Sequence, residues 1–121
     1  MANPNIVNVS SIYGKTLGAA LTTTSADILT NSAASNKIFK VNTVLVSNID
    51  GVNNATCDVT FYDASATTSY NLAKVILVPA ASTLKIISKD NPIYLEEGDK
   101  IAGLASATTR LQIIISYEDI S

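Results

Sequence analysis

The feature that most constrains this chain is alternation: short runs in which apolar and polar residues change places at every step, each run ending in a cluster of turn residues. A period of two sends successive side chains to opposite faces of a strand. A helix would need apolar residues at three- and four-residue spacing, which no stretch here sustains. The clearest run is Ala55 to Asp63, where Cys57, Val59 and Phe61 point one way and Thr56, Asp58, Thr60 and Tyr62 the other. One face is expected in a core and the other in water. In Ile38 to Ile49, Phe39, Val41 and Leu45 share one face and Ile38, Val44 and Val46 the other, which predicts a strand covered on both sides for part of its length.

Further strands are expected at Tyr70 to Val78, Thr83 to Ser88, Ile93 to Leu95, Lys100 to Leu104 and Arg110 to Glu118, with Leu111, Ile113, Ile115 and Tyr117 forming one face of the last. Lys15 to Thr22 and Ala26 to Thr30 add two candidates. Pro79, without a backbone N–H, marks the exit of one strand. Asp50-Gly51, Asn53-Asn54, Ala64 to Thr68, Asp90-Asn91-Pro92, Gly98 and Ser106 to Thr109 supply turns where the runs stop. The predicted fold is all-β: a single antiparallel β-sandwich or jelly-roll-like domain of about eight strands with an extended N-terminal segment. At 121 residues the chain holds one such domain, assigned to residues 15–121. Residues 1–14 read as an N-terminal arm or edge strand. Within them Asn5 to Tyr13 alternates Ile6, Asn8 and Ser10 against Val7, Val9 and Ser11. It is either a ninth strand of the parent sheet or an arm that adds to a neighbour's sheet.

Composition narrows the chemistry. There is no histidine, no tryptophan, one cysteine and one arginine. A Ser-His-Asp or Cys-His arrangement cannot be built without histidine, and one cysteine cannot supply a tetrahedral zinc site. Carboxylate pairs for glycoside hydrolysis would have to come from Glu96, Glu97, Glu118 and seven aspartates. Adjacent Glu96 and Glu97 diverge at a strand end. The chain is therefore expected not to be an enzyme and to carry no cofactor or small-molecule substrate. Asp50 with Asn53 and Asn54, Asp90 with Asn91, and Glu97 with Asp99 offer oxygen ligands to a hard cation, although none has the spacing of an EF-hand loop and turns need the same residues.

A net charge of -2 with dispersed cations argues against nucleic acid as a partner. Apolar runs such as Val75-Ile76-Leu77-Val78 are far shorter than the roughly 20 residues of a membrane-spanning helix, so no membrane partner is expected. The N-terminus shows no cationic stretch followed by an apolar one as in a secretory signal, and folding in a cytoplasm is the default expectation. Cys57 is expected as a buried small hydrophobe. A chain that is 47% hydrophobic and only 15% charged is expected to cover part of its surface with other subunits. Tyr62 is the best placed of the five tyrosines to show an exposed ring, while Tyr117 belongs to the core with its hydroxyl at the rim.

Asn3-Pro4-Asn5-Ile6-Val7-Asn8-Val9, Asn48-Ile49-Asp50-Gly51, Asp90-Asn91-Pro92-Ile93-Tyr94-Leu95-Glu96-Glu97-Gly98-Asp99 and the final Ile114-Ile115-Ser116-Tyr117-Glu118 resemble small virion structural proteins of tailed phages, cyanophages especially. The resemblance spreads over most of the chain and rests on turn-and-strand patterns. It implies a capsid cement or decoration protein on the virion surface, made in the host cytoplasm, that sits as homotrimers and binds the major capsid protein. The interface residues expected on this reading are Asn3, Pro4, Ile6, Val7 and Val9, together with one sheet edge, and Tyr62. The alternative is a receptor- or glycan-binding module of a tail fibre or neck, with loops around Tyr62 and Ala64 to Thr68 as its contact surface.

Overall fold

The computed structural model describes residues 4–121, which form nine strands: β1 (Ile12–Ala20), β2 (Ala26–Thr30), β3 (Ile38–Asn48), β4 (Ala55–Asp63), β5 (Thr68–Val78), β6 (Thr83–Ile87), β7 (Ile93–Leu95), β8 (Lys100–Ala105) and β9 (Leu111–Ile120). Their antiparallel pairs are nested. The hairpin β4–β5 lies innermost, β3 pairs with β6 and β7, β2 with β8, and β1 with β9. Two further pairings, β3 with β9 and β4 with β8, join the nest into two sheets, ordered β1-β9-β3-β6 with β7 also on β3, and β2-β8-β4-β5. This wrapping is a jelly roll. The expected sandwich of about eight strands is therefore present, because β6 and β7 share one position in the nest. The turn at Ser88 to Pro92 divides them, closed by the Asn91 N–H donating to Ser88 O at 2.9 Å.

The core is the apolar half of each alternation. Val41, Val44, Val46, Leu111, Ile113 and Ile115 from one sheet face Cys57, Val59, Val78, Ile101 and Ala105 from the other, and all are buried. Each large aliphatic side chain so enclosed contributes about 1.5–3 kcal/mol. The Phe39 and Tyr117 rings pack together at 5.1 Å, which places Tyr117 against the core as expected.

Two expectations need correction. β3 is not covered on both sides: its pairing with β9 shifts between Val41 and Thr43, so Asn42 is an extra residue and the phase changes there. Phe39 and Val41 point inward before the bulge, and Val44, Val46 and Asn48 after it. One inserted residue reverses which parity is buried, and the sequence then imitates a two-sided strand. The segment Asn5 to Tyr13 is likewise no ninth strand. Its first residues form a turn, with the Asn8 N–H donating to Asn5 O at 2.9 Å and the Val7 N–H to Asn5 Oδ1 at 3.0 Å. The sheet begins at Ile12, three residues before the expected Lys15.

Candidate functional site

The geometry offers two kinds of contact surface, a short segment outside the sheets and the open sheet edges. The segment is anchored to the chain's other end: the Ser10 and Ser11 N–H groups donate to Ser121 O at 2.7 and 3.0 Å, the Ser121 N–H donates back to Ser11 O at 3.0 Å, and the two hydroxyls lie 2.8 Å apart. Ahead of this clasp, Ile6 and Val7 are 51% and 83% exposed, so their apolar side chains have little of the fold to pack on. Pro4 and Val9 are half-buried, and Asn3 lies outside the described residues. Of the expected interface residues, the structure brings Pro4, Ile6, Val7 and Val9 together and leaves Tyr62 on the other sheet.

Tyr62 is half-buried. The Lys100 ammonium stands 5.1 Å from its ring centroid, a cation–π contact, and also pairs with Asp27 at 3.1 Å. The exposed rings are those of Tyr13, Tyr70 and Tyr94.

The four outer strands differ in regularity. β2 slips register against β8 between Asp27 and Leu29. β6 slips against β3 between Val44 and Leu45, and the turn before β7 interrupts that edge. β5 slips twice against β4, on both sides of Val59. In the first slip Val75 takes a φ of 49°, where its N–H donates to Asp58 Oδ1 at 2.8 Å and the Lys74 ammonium meets Asp58 Oδ2 at 3.1 Å. A β-branched residue in the left-handed region is strained, and the Asp58 carboxylate holds it there. Bulges twist an edge away from incoming strands. β1 alone keeps an unshifted register, nine consecutive pairs from Ile12 with Ile120 to Ala20 with Gln112.

The carboxylates of Asp50, Glu97 and Asp99 accept backbone N–H groups. Asp50 Oδ1 accepts from the Val52 and Asn53 N–H groups at 2.8 and 3.0 Å, which together with the Asn53 side chain and Arg110 holds its carboxyl below the usual range. Asp99 accepts from the Ala64 N–H at 2.9 Å and the Glu96 N–H at 3.0 Å, and Glu97 Oε2 from the Asn36 N–H at 2.6 Å. Glu97 and Asp99 are buried anchors of the turn, a role their sequence position did not announce. Among the described residues no three His, Cys, Asp or Glu side chains stand together as a metal site. Cys57 has no exposed surface, and burial, with the Asp58 charge beside it, pushes its thiol up to about 11.

No family model matches the chain, and no curated protein does. Among solved structures the chain is similar to one from Bacillus endospore appendages, described as a novel family of disulfide-linked pili. The TM-score is 0.52 at 14% sequence identity, covering 89% of this chain and 85% of that one. At that identity the likeness is one of fold.

Proposed function

We propose that this protein is a non-enzymatic structural subunit of a virion, a cement or decoration protein that binds the major capsid protein on the outer shell. The observation that carries the reading is the pair of exposed aliphatic side chains, Ile6 and Val7, held off a closed jelly roll on a segment clasped at Ser11 and Ser121. Exposed apolar residues on an anchored segment lose hydration by docking into a partner and cost little further ordering. Jelly rolls recur in capsid and lectin domains, and a chain that binds only the assembled shell stabilises it by mass action.

The pilus likeness supports a structural role without its covalent linkage. The protein's one cysteine, Cys57, lies wholly inside the sandwich, so folded copies cannot join through it. The tail-fibre alternative draws on the exposed rings of Tyr13, Tyr70 and Tyr94 in place of Tyr62.

Co-sedimentation with empty phage shells tests the proposal. The full chain should pellet at a saturating ratio, and Ile6→Asp with Val7→Asp should weaken that binding about tenfold or more while leaving Tm unchanged. Equal occupancy by the double variant would sink the segment's part. No binding by the wild type would sink the shell as partner, and glycan binding lost in Tyr70→Ala would then favour the tail-borne module.

A further inference from the structure

We infer that β1 is an interaction edge for a second copy of this chain, the two β1 strands pairing antiparallel about a two-fold axis at Thr16. This goes beyond shell binding and stands on the edge alone. β2, β5 and β6 each carry a register slip and β7 is a three-residue fragment, so β1 is the regular edge that one copy can offer another. Its nine residues make a seam about 30 Å long at the usual rise per residue. Among the described residues its ladder partner is β9, which leaves the outer row of N–H and C=O groups of β1 turned to solvent.

Lysine on an edge strand ordinarily repels incoming strands. Here the Lys15 ammonium is drawn the other way, onto Asp119 of β9 at 2.9 Å, and its charge is balanced by that buried carboxylate.

The sequence of β1 is self-complementary in the register centred on Thr16. Ile12 comes opposite the second copy's Ala20, Tyr13 opposite its Ala19, Gly14 opposite its Gly18 and Lys15 opposite its Leu17, with Thr16 facing Thr16. Ile12 and Tyr13 each meet an alanine, the long stem of Lys15 lies beside Leu17, no like charges stand directly opposite, and a threonine pair lies on the axis. A second observation agrees. A shallow cavity of about 370 Å³ lies at the Ala20 end of β1, lined by Gly18, Ala19, Ala20, Gln112, Ile113 and Ile114. Ile12, 54% exposed at the other end of the strand and on the same face as Gly18 and Ala20, is what this register delivers to it. The axis fills both cavities at once and closes the pair, since a two-fold interface consumes the same edge on both copies.

The test uses the full chain. Light scattering should give twice the 12.7 kDa chain mass at high concentration. Thr16 is exposed, so Thr16→Glu should leave Tm of the isolated chain unchanged while two facing carboxylates weaken association about tenfold or more. Thr16→Cys should form a covalent dimer under mild oxidant, because facing Cα atoms of an antiparallel pair, about 4.5–5.5 Å apart, lie within disulfide reach. Thr83→Cys, exposed on the β6 edge, should not, and buried Cys57 stays silent. A monomer at all concentrations, a trimer such as the phage resemblance implies, or cross-linking as fast from Thr83→Cys as from Thr16→Cys would each overturn the inference.

Discussion

The middle of the sandwich and the end that holds Asn31 are both buried, yet they are held by different physics. In the middle, Val44, Val46, Ile113 and Ile115 meet Val59 and Ile101 with no polar side chain among them. At the end, Asn31, Glu97, Asp99 and Asp119 are as deeply buried as the valines. The Asn31 amide donates to Lys37 O and Leu95 O, each at 2.9 Å, its own N–H donates to Asp99 O at 2.9 Å, and Gly98 N–H returns to Asn31 O at 2.7 Å. Asp119 receives Lys15 at 2.9 Å and Lys37 at 3.3 Å. Apolar burial is non-directional and makes the sandwich stable. The hydrogen-bonded end has direction, and it fixes where residues 31–37 and 96–99 must lie.

The largest effect should come from the middle. Ile113→Ala is expected to lose about 3–4 kcal/mol in denaturant titration, from lost transfer energy and the cavity left behind. Asn31→Ala should cost about 2 kcal/mol by leaving the buried Leu95 and Lys37 carbonyls without their donors, and it should open the loop after β2 to limited proteolysis, which Ile113→Ala should not. A loss from Asn31→Ala as large as that from Ile113→Ala, without loop cleavage, would break the contrast.

Gly98 has a φ of 88°, and a Cβ there would come within 2.8 Å of the Ala64 Cβ. Gly98→Ala should therefore cost about 1–2 kcal/mol, read as a lowered Tm. The pH dependence sharpens the comparison further. Burial raises the Asp119 carboxyl, but hydrogen bonds from Lys15 and Lys37 outweigh it and leave it below the ordinary value near 4. A lowered folded pKa contributes stability above the unfolded value and loses it as pH falls through the folded one. Lys15 moves the other way, raised chiefly by its hydrogen bond to Asp119, so its share is lost as pH rises through its folded pKa. Chemical denaturation across acid pH should show a smaller fall in stability for Asp119→Asn than for the wild type. Equal slopes would mean the triad adds nothing.

Much of the middle was legible in the sequence and little of the end. Cys57 with Val59, and Leu111 with Ile113 and Ile115, announce their burial by alternation, because a sheet packed on one face imposes a period of two. Asn42 hid the same signal, since a bulge has no composition of its own and appears as a change of phase. Val75 hid better, because nothing about valine suggests a left-handed backbone. Glu97 and Asp99 read as turn residues, and Asn31 carried no signal of its own. Their burial depends on partners 35 to 68 residues away in sequence, as with Ala64 to Asp99 and Asn31 to Asp99. Tyr62 looked exposed because its position opposite Lys100 belongs to the β4–β8 register. The candidate segment was half legible: Ile6 and Val7 stood out as apolar residues ahead of the first firm strand, but their clasp to Ser121 could not be seen from either end.

The nested pairing also sets an order of events on the ribosome. β4 and β5 are neighbours in sequence and can pair as soon as both have emerged, whereas β1, made first, must wait for β9, whose last paired residue is Ile120. Long-range closures of this kind are slow to form, because the intervening chain must be ordered before they contribute. Until β9 has emerged, then, β1 is an unpaired strand with both edges free. A nascent chain beside another of its kind has a β1 partner available well before its own β9 exists.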